Sequence, residues 1–278
     1  MLYFDVFHHP LRLDELAALC GPDVEPAVEA ALGLGGLERD DVWVFRAGRA
    51  GDRRRRVERS AEAERQWRRV RRAAGLLARV PYVRGVLVTG GLSKQSAQPG
   101  GDVDFMLLVE PGRVWTVKGA LHLLRRVLPG ALRESFCTNY LLATDALPLP
   151  AQSMFHAVEL ATAVPLFGPE ACSALLAANP WAERRVPGLG FSRTRAELCT
   201  PLPSAPLRLE RLVPSALDPT AARLLTQFWD RRYAWIEPGE RARRFQRGPS
   251  VATNHLHDFS GWVNQEYADR CGALGVEP

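Results

Sequence analysis

Apolar positions along the chain change period several times, and each change predicts an element. Leu11, Leu13, Leu16, Ala17 and Leu19 fall at helical spacing until Gly21-Pro22 breaks the run. Val24, Val28, Ala31 and Leu32 form a second helical stripe, which stops at Gly33–Gly36. Leu37 to Phe45 then alternates around Asp40-Asp41, as a short two-stranded wing would. Arg53 to Arg79 reads as a long polar helix with an intermittent stripe of Val57, Ala61, Trp67, Val70, Ala74 and Leu77, a solvated connector between two domains. Gly85 to Thr89 is a short apolar, β-branched run, the mark of a buried central strand, and Val103 to Val109 is another. Val114 to Leu128 returns to helical spacing, Phe136 to Leu142 makes a third strand, and Ala151 to Ala163 a further helix. Beyond Pro180 the chain is proline-rich and irregular to about Pro214, then helical over roughly Pro219–Ile236 and Ser250–Cys271.

The order strand, loop, strand, helix, strand predicts a mixed α/β (α+β) sheet core over residues 84–180. Residues 1–48 form an N-terminal unit with the order of a winged helix-turn-helix, or alternatively a helical packing module that touches no DNA. Residues 49–83 are the arginine-rich connecting helix, and 181–278 an irregular and then helical C-terminal region. Five scattered cysteines without a C-x-x-C pair argue against a disulfide framework or a structural zinc site and suggest a reducing compartment. An acid at position 5 and the absence of ~18 uninterrupted apolar residues predict neither secretory signal nor membrane span, so a cytoplasmic location is expected.

Charge changes this picture only locally. The net charge is +5, but Arg46 to Arg84 holds 14 arginines against Asp52, Glu58, Glu62 and Glu64, a balance of +10, leaving about −5 for the rest. Such a stretch suggests nucleic acid. Yet the chain has only two lysines, Lys94 and Lys118, so arginine is its general surface cation. Weak, non-specific nucleic-acid binding is the expectation.

The segment with chemistry is Val88-Thr89-Gly90-Gly91-Leu92-Ser93-Lys94, followed by Asp102-Val103-Asp104-Phe105. Glycines directly after a buried strand let the backbone turn sharply and approach an anion closely. Ser93 adds a hydroxyl donor and Lys94 a point charge. Asp102 and Asp104, two apart on a strand, would project from one face while Val103 and Phe105 enter the core. Two carboxylates beside a bound triphosphate suit magnesium, which prefers oxygen ligands and substrate phosphates.

Taken together these residues resemble the nucleotidyltransferases related to DNA polymerase beta. Thr89-Gly90-Gly91, ten residues, then Asp102-Val103-Asp104-Phe105 follows that superfamily's signature. The resemblance covers about residues 84–180. Gly90-Gly91-Leu92-Ser93-Lys94, Cys137-Thr138-Asn139-Tyr140 and Ala157-Val158-Glu159-Leu160 are similar to a bacterial group within it. It implies a magnesium- (or manganese-) dependent enzyme that moves a nucleoside monophosphate from a nucleoside triphosphate to an unassigned acceptor. Gly90, Gly91, Ser93 and Lys94 would hold the nucleotide, and Asp102 and Asp104 the metal, as the catalytic carboxylates. Two features depart from the pattern. Leu92 separates the glycines from the serine, and the strand Phe136–Leu142 lacks the third carboxylate of many members. Glu134 precedes that strand, Asn139 lies within it, facing the same side as Cys137, and Asp145 follows it. That gap keeps a second expectation open: a nucleic-acid-binding regulator with a degenerate, nucleotide-sensing domain.

Other polar residues read as structure. His8-His9 suit surface or packing, and His255 and His257 are two apart, which on a helix does not bring them together. His156 and Glu159 share a helical face and read as packing and a cap. Trp229, Tyr233 and Trp235 read as core, and the cysteines as small apolar filler.

Overall fold

A computed structural model describes residues 1–128, 130, 137–188, 210, 213–214, 216–254 and 259–277. The chain is mixed α and β. Near the N-terminus, α1 (Leu2–Asp5), β1 (Leu11–Arg12), α2 (Leu13–Cys20), α3 (Val24–Gly33), β2 (Leu37–Asp40) and β3 (Trp43–Arg46) follow one another. The three strands form an antiparallel sheet in the order β1-β3-β2. The predicted hairpin is therefore present, and it turns at Asp41, whose φ is +57°. Leu11 belongs to a strand paired with Val44 rather than to the helix its spacing suggested.

The larger sheet has the order β7-β4-β5-β6-β8. Its strands are β4 (Val83–Val88), β5 (Asp104–Val109), β6 (Cys137–Ala143), β7 (Val164–Phe167) and β8 (Val251–Thr253). Only β5 and β6 run parallel; the other neighbours are antiparallel. Alternation along β5 sends Phe105, Leu107 and Val109 to one core and Met106 and Leu108 to the other. Both faces are thus covered, which explains the continuous apolar runs of β4 and β5.

On the first face lie α4 (Asp52–Leu77), α6 (Val114–Val127) and α10 (Leu217–Arg232). Here the expectation of a solvated connector is corrected. Trp67, Val70, Ala74 and Leu77 of α4 are 0–3% exposed, so the helix seals the sheet, while Arg54, Arg68, Arg69 and Arg72 face solvent and Arg56 is buried. On the second face lie α7 (Met154–Thr162), α8 (Pro169–Ala177) and α9 (Trp181–Arg185). The N-terminal unit joins the same core through Tyr3, Phe4, Leu16 and Val44, and α12 (Phe259–Gly272) joins it through Val263. A short α5 (Gly90–Ser93) follows β4, and α11 (Pro238–Arg244) precedes β8.

The C-terminal expectation needs two changes. Val251–Thr253, read as the start of a helix, is an edge strand on β6, because its short β-branched run finds an unpaired sheet edge. Trp229 is core, its ring tilted against that of Trp115 with centroids 5.9 Å apart, but Trp235 is 74% exposed. His9 is buried against Phe4, and His8 bonds Asp52 at 3.0 Å. His255, His257, Glu134 and Cys199 lie outside the described residues; among the described residues Cys20, Cys137, Cys172 and Cys271 form no disulfide. Among the described residues no helix is long and apolar enough to cross a membrane.

Candidate active site

The site is built where β4 ends. Thr89 is still extended and donates to the Asp104 carbonyl at 3.0 Å. Gly90 then turns with φ +68°, a region that suits glycine. A Cβ on Gly90 would stand 2.3 Å from Asp104 Oδ2, so the turn and the carboxylate are pressed together as no other residue would allow. Gly91 is equally constrained, for a Cβ there would lie 2.5 Å from the Ser96 carbonyl. The pair of glycines therefore packs two backbone segments and a carboxylate into one small volume.

Asp104 opens β5 and faces the second core, as alternation required, while Val103 and Phe105 are buried on the other side. Asp102 is not beside it on the strand. Val88 pairs with Phe105, beyond which β4 has already turned away, and Gly101 bonds back to Gln98 at 3.0 Å. With no neighbour to pair with, the chain before Asp104 is irregular, and Asp102 is exposed on the approach to the strand. Its charge nevertheless reaches Asp104. Burial first, then Glu159 and Asp102, push the Asp104 carboxyl up from 3.8 to about 6, against the Asn139 hydrogen bond and Lys94.

Asn139 fills the position beside Asp104 on the neighbouring strand. A bulge shifts the register from Asp104↔Cys137 to Met106↔Tyr140, and the Asn139 Nδ2 donates to Asp104 Oδ1 at 2.8 Å. The Cys137 thiol donates to Asn139 Oδ1 at 3.0 Å, so both side chains share the face on which sequence placed them. Burial and the two aspartates push that thiol up to about 11, leaving it uncharged and unreactive.

Ser93 and Lys94 come to the turn, but both engage protein groups. Ser93 is 2% exposed, and its hydroxyl donates to the Gly90 carbonyl at 2.9 Å. Lys94 Nζ donates to the same carbonyl at 3.0 Å and to Glu159 Oε1 at 2.7 Å. The other Glu159 oxygen, Oε2, accepts the Gly90 N–H at 2.9 Å. Sequence reasoning passed over Glu159 as packing and a cap. The available signal was its isolation: one carboxylate among Ala157, Val158, Leu160 and Ala161, on a helix whose neighbours are buried, requires a partner. His156 does act at the helix start, its Nδ1 within 2.8 Å of the Ser153 hydroxyl.

The donor set is a test of the implied magnesium. Asp102 and Asp104 supply hard oxygens, and a partly buried carboxylate pressed by two like charges is an environment that a cation would relieve. Among the described residues no group of three or more His, Cys, Asp or Glu side chains is placed to hold an ion, so phosphates and water would complete the shell. No protein-family model matches this chain, and neither a curated protein nor a solved structure does.

Proposed function

We propose that the protein is a magnesium-dependent nucleotidyltransferase that moves a nucleoside monophosphate from a triphosphate to an acceptor. The observation that carries this reading is the interlock of Gly90 with Asp104, in which a Cβ would come within 2.3 Å of the carboxylate. A structural turn does not require such contact; bringing backbone donors and a carboxylate to one phosphate does. Asp102 and Asp104 would hold the ion, which supplies charge neutralisation and polarisation of phosphoryl oxygens. Gly90, Gly91 and Lys94 are the groups that would orient the phosphates, with Ser93 fixing the shape of their turn. The test is calorimetric titration with each of the four ribonucleoside triphosphates, with and without magnesium. Binding that needs magnesium and is lost in Asp104→Asn supports the reading; equal binding by the variant rejects it.

Asn139 favours a second reading. A neutral carboxamide in the seat of a third carboxylate neither takes a proton nor adds charge for another ion, as expected of a nucleotide-sensing domain without turnover. The order of elements at the N-terminus supports a winged-helix module as its companion. Against a DNA-reading role, α3, which would enter the major groove, exposes Glu25 and Glu29 and carries no basic residue. Incubation with α-labelled triphosphate separates the two: transfer of label, or pyrophosphate release, excludes the sensor.

A further inference from the structure

Resting on that reading, we propose that Glu159 is an internal competitor for the phosphates, a latch that must leave the glycine turn before a triphosphate can be held. Its carboxylate spans the Gly90 N–H at 2.9 Å and Lys94 Nζ at 2.7 Å, one oxygen on each. These are the backbone donor and the cation that the reading assigns to the substrate. An anionic group already occupies them, in the geometry of an anion bridging an amide and an ammonium. The arrangement is built rather than accidental: the Lys94 side chain is 11% and that of Glu159 20% exposed, Lys94 at the C-cap of α5 and Glu159 within α7.

A second observation supplies a place for the carboxylate to go. The hydroxyl of Tyr3, a residue of α1 that is 2% exposed, finds no hydrogen-bond partner among the described residues. Buried phenols normally bond to something. Tyr3 packs in the same core as Ala157, Val158, Leu160 and Ala161 of the Glu159 helix. Burial, and then the charge of Glu159, raise the phenol's pKa, so the two groups share an electrostatic neighbourhood. Rotation of Glu159 off the turn gives this orphan donor an acceptor. The latch thus has two positions, one on the glycine turn and one toward the N-terminal unit.

The experiment is calorimetry of the full chain with inorganic triphosphate and magnesium, comparing wild type, Glu159→Gln, Glu159→Asp and Tyr3→Phe. Removing the charge, or shortening it by one methylene so that it cannot bridge both donors, should tighten binding about tenfold or more, the scale of a displaced charge-assisted hydrogen bond. Tyr3→Phe should weaken binding in wild type but not in the Glu159→Gln background, which a merely structural tyrosine would not do. Equal or weaker binding by both Glu159 variants, with wild type still binding, overturns the latch and leaves the nucleotidyltransferase reading standing. If no protein in the set binds triphosphate, that reading fails and the latch falls with it.

Discussion

Asp104→Asn should stabilise the metal-free protein. The carboxyl titrates at about 6 in the fold against 3.8 for the free side chain, chiefly because it is buried and secondly because Glu159 is near. The folded-state value lies above the unfolded one. The stability tied to the protonated group is therefore fully present below about pH 4 and is lost as pH rises through about 6. At pH 7.5 the ionised carboxylate costs on the order of 2–3 kcal/mol, at about 1.4 kcal/mol per pKa unit. Asparagine keeps the shape and an oxygen for the Asn139 amide, and it removes the charge. For a chain of this length that difference corresponds to a melting point higher by about 5 °C or more. The assay is thermal unfolding of both proteins in chelator from pH 4.5 to 8, repeated with magnesium. The gap should close toward pH 4.5, and magnesium should raise wild type alone. A variant that melts at or below wild type at pH 7.5, or a gap that ignores pH, would refute the electrostatic account of the site.

Three further outcomes follow from the geometry. Gly90→Ala places a Cβ 2.3 Å from Asp104 Oδ2 at φ +68°, and should lose about 2 kcal/mol in urea unfolding together with any magnesium response. Arg56→Met leaves the half-buried Glu15 without its ion-pair partner and the Pro10 and Gln95 carbonyls without a donor, and should cost about 3 kcal/mol, whereas Arg54→Ser, on the exposed side of α4, should stay within about 0.5 kcal/mol. Fluorescence anisotropy with labelled duplex DNA should give only roughly 10⁻⁴–10⁻⁶ M affinity at physiological salt, reduced when the exposed Arg54, Arg68, Arg69 and Arg72 become serine; nanomolar binding would reverse the ranking of the two readings.

What could be read from sequence followed the strength of the local pattern. β4 from Gly85 and β5 from Phe105 are continuous apolar runs because both their faces are covered. Asp104 was placed correctly by alternation, but the same rule carried Asp102 onto a strand that does not reach it, since pleating persists only where a neighbour pairs. The burial of α4 was obscured by composition. Trp67, Val70, Ala74 and Leu77 are a narrow stripe among fourteen nearby arginines, and mean polarity outweighed it. β8 is three residues long and takes its state from the free edge of β6, a tertiary fact. Glu159 lies 65 positions from Lys94, and only folding brings them together.

Arg56 gives the N-terminal unit a mechanical meaning. It is 1% exposed and lies 4.8 Å from the Trp43 ring; it bonds the Pro10 carbonyl at 3.1 Å, Glu15 at 2.8 Å and, on its other side, the Gln95 carbonyl at 2.9 Å. Gln95 is the left-handed residue, φ +54°, that closes the loop after the glycine turn. One guanidinium therefore serves as a keystone between the first fifty residues and the loop that shapes the phosphate turn. A shortened chain starting at α4 would keep the Arg56 bonds to Ser60 and the Gln95 carbonyl but strip the guanidinium of Pro10, Glu15 and Trp43, exposing the far side of the keystone to water. Whatever displaces the N-terminal unit, whether a partner, a protease or a mutation at Trp43, removes the packing that fixes the guanidinium holding Gln95.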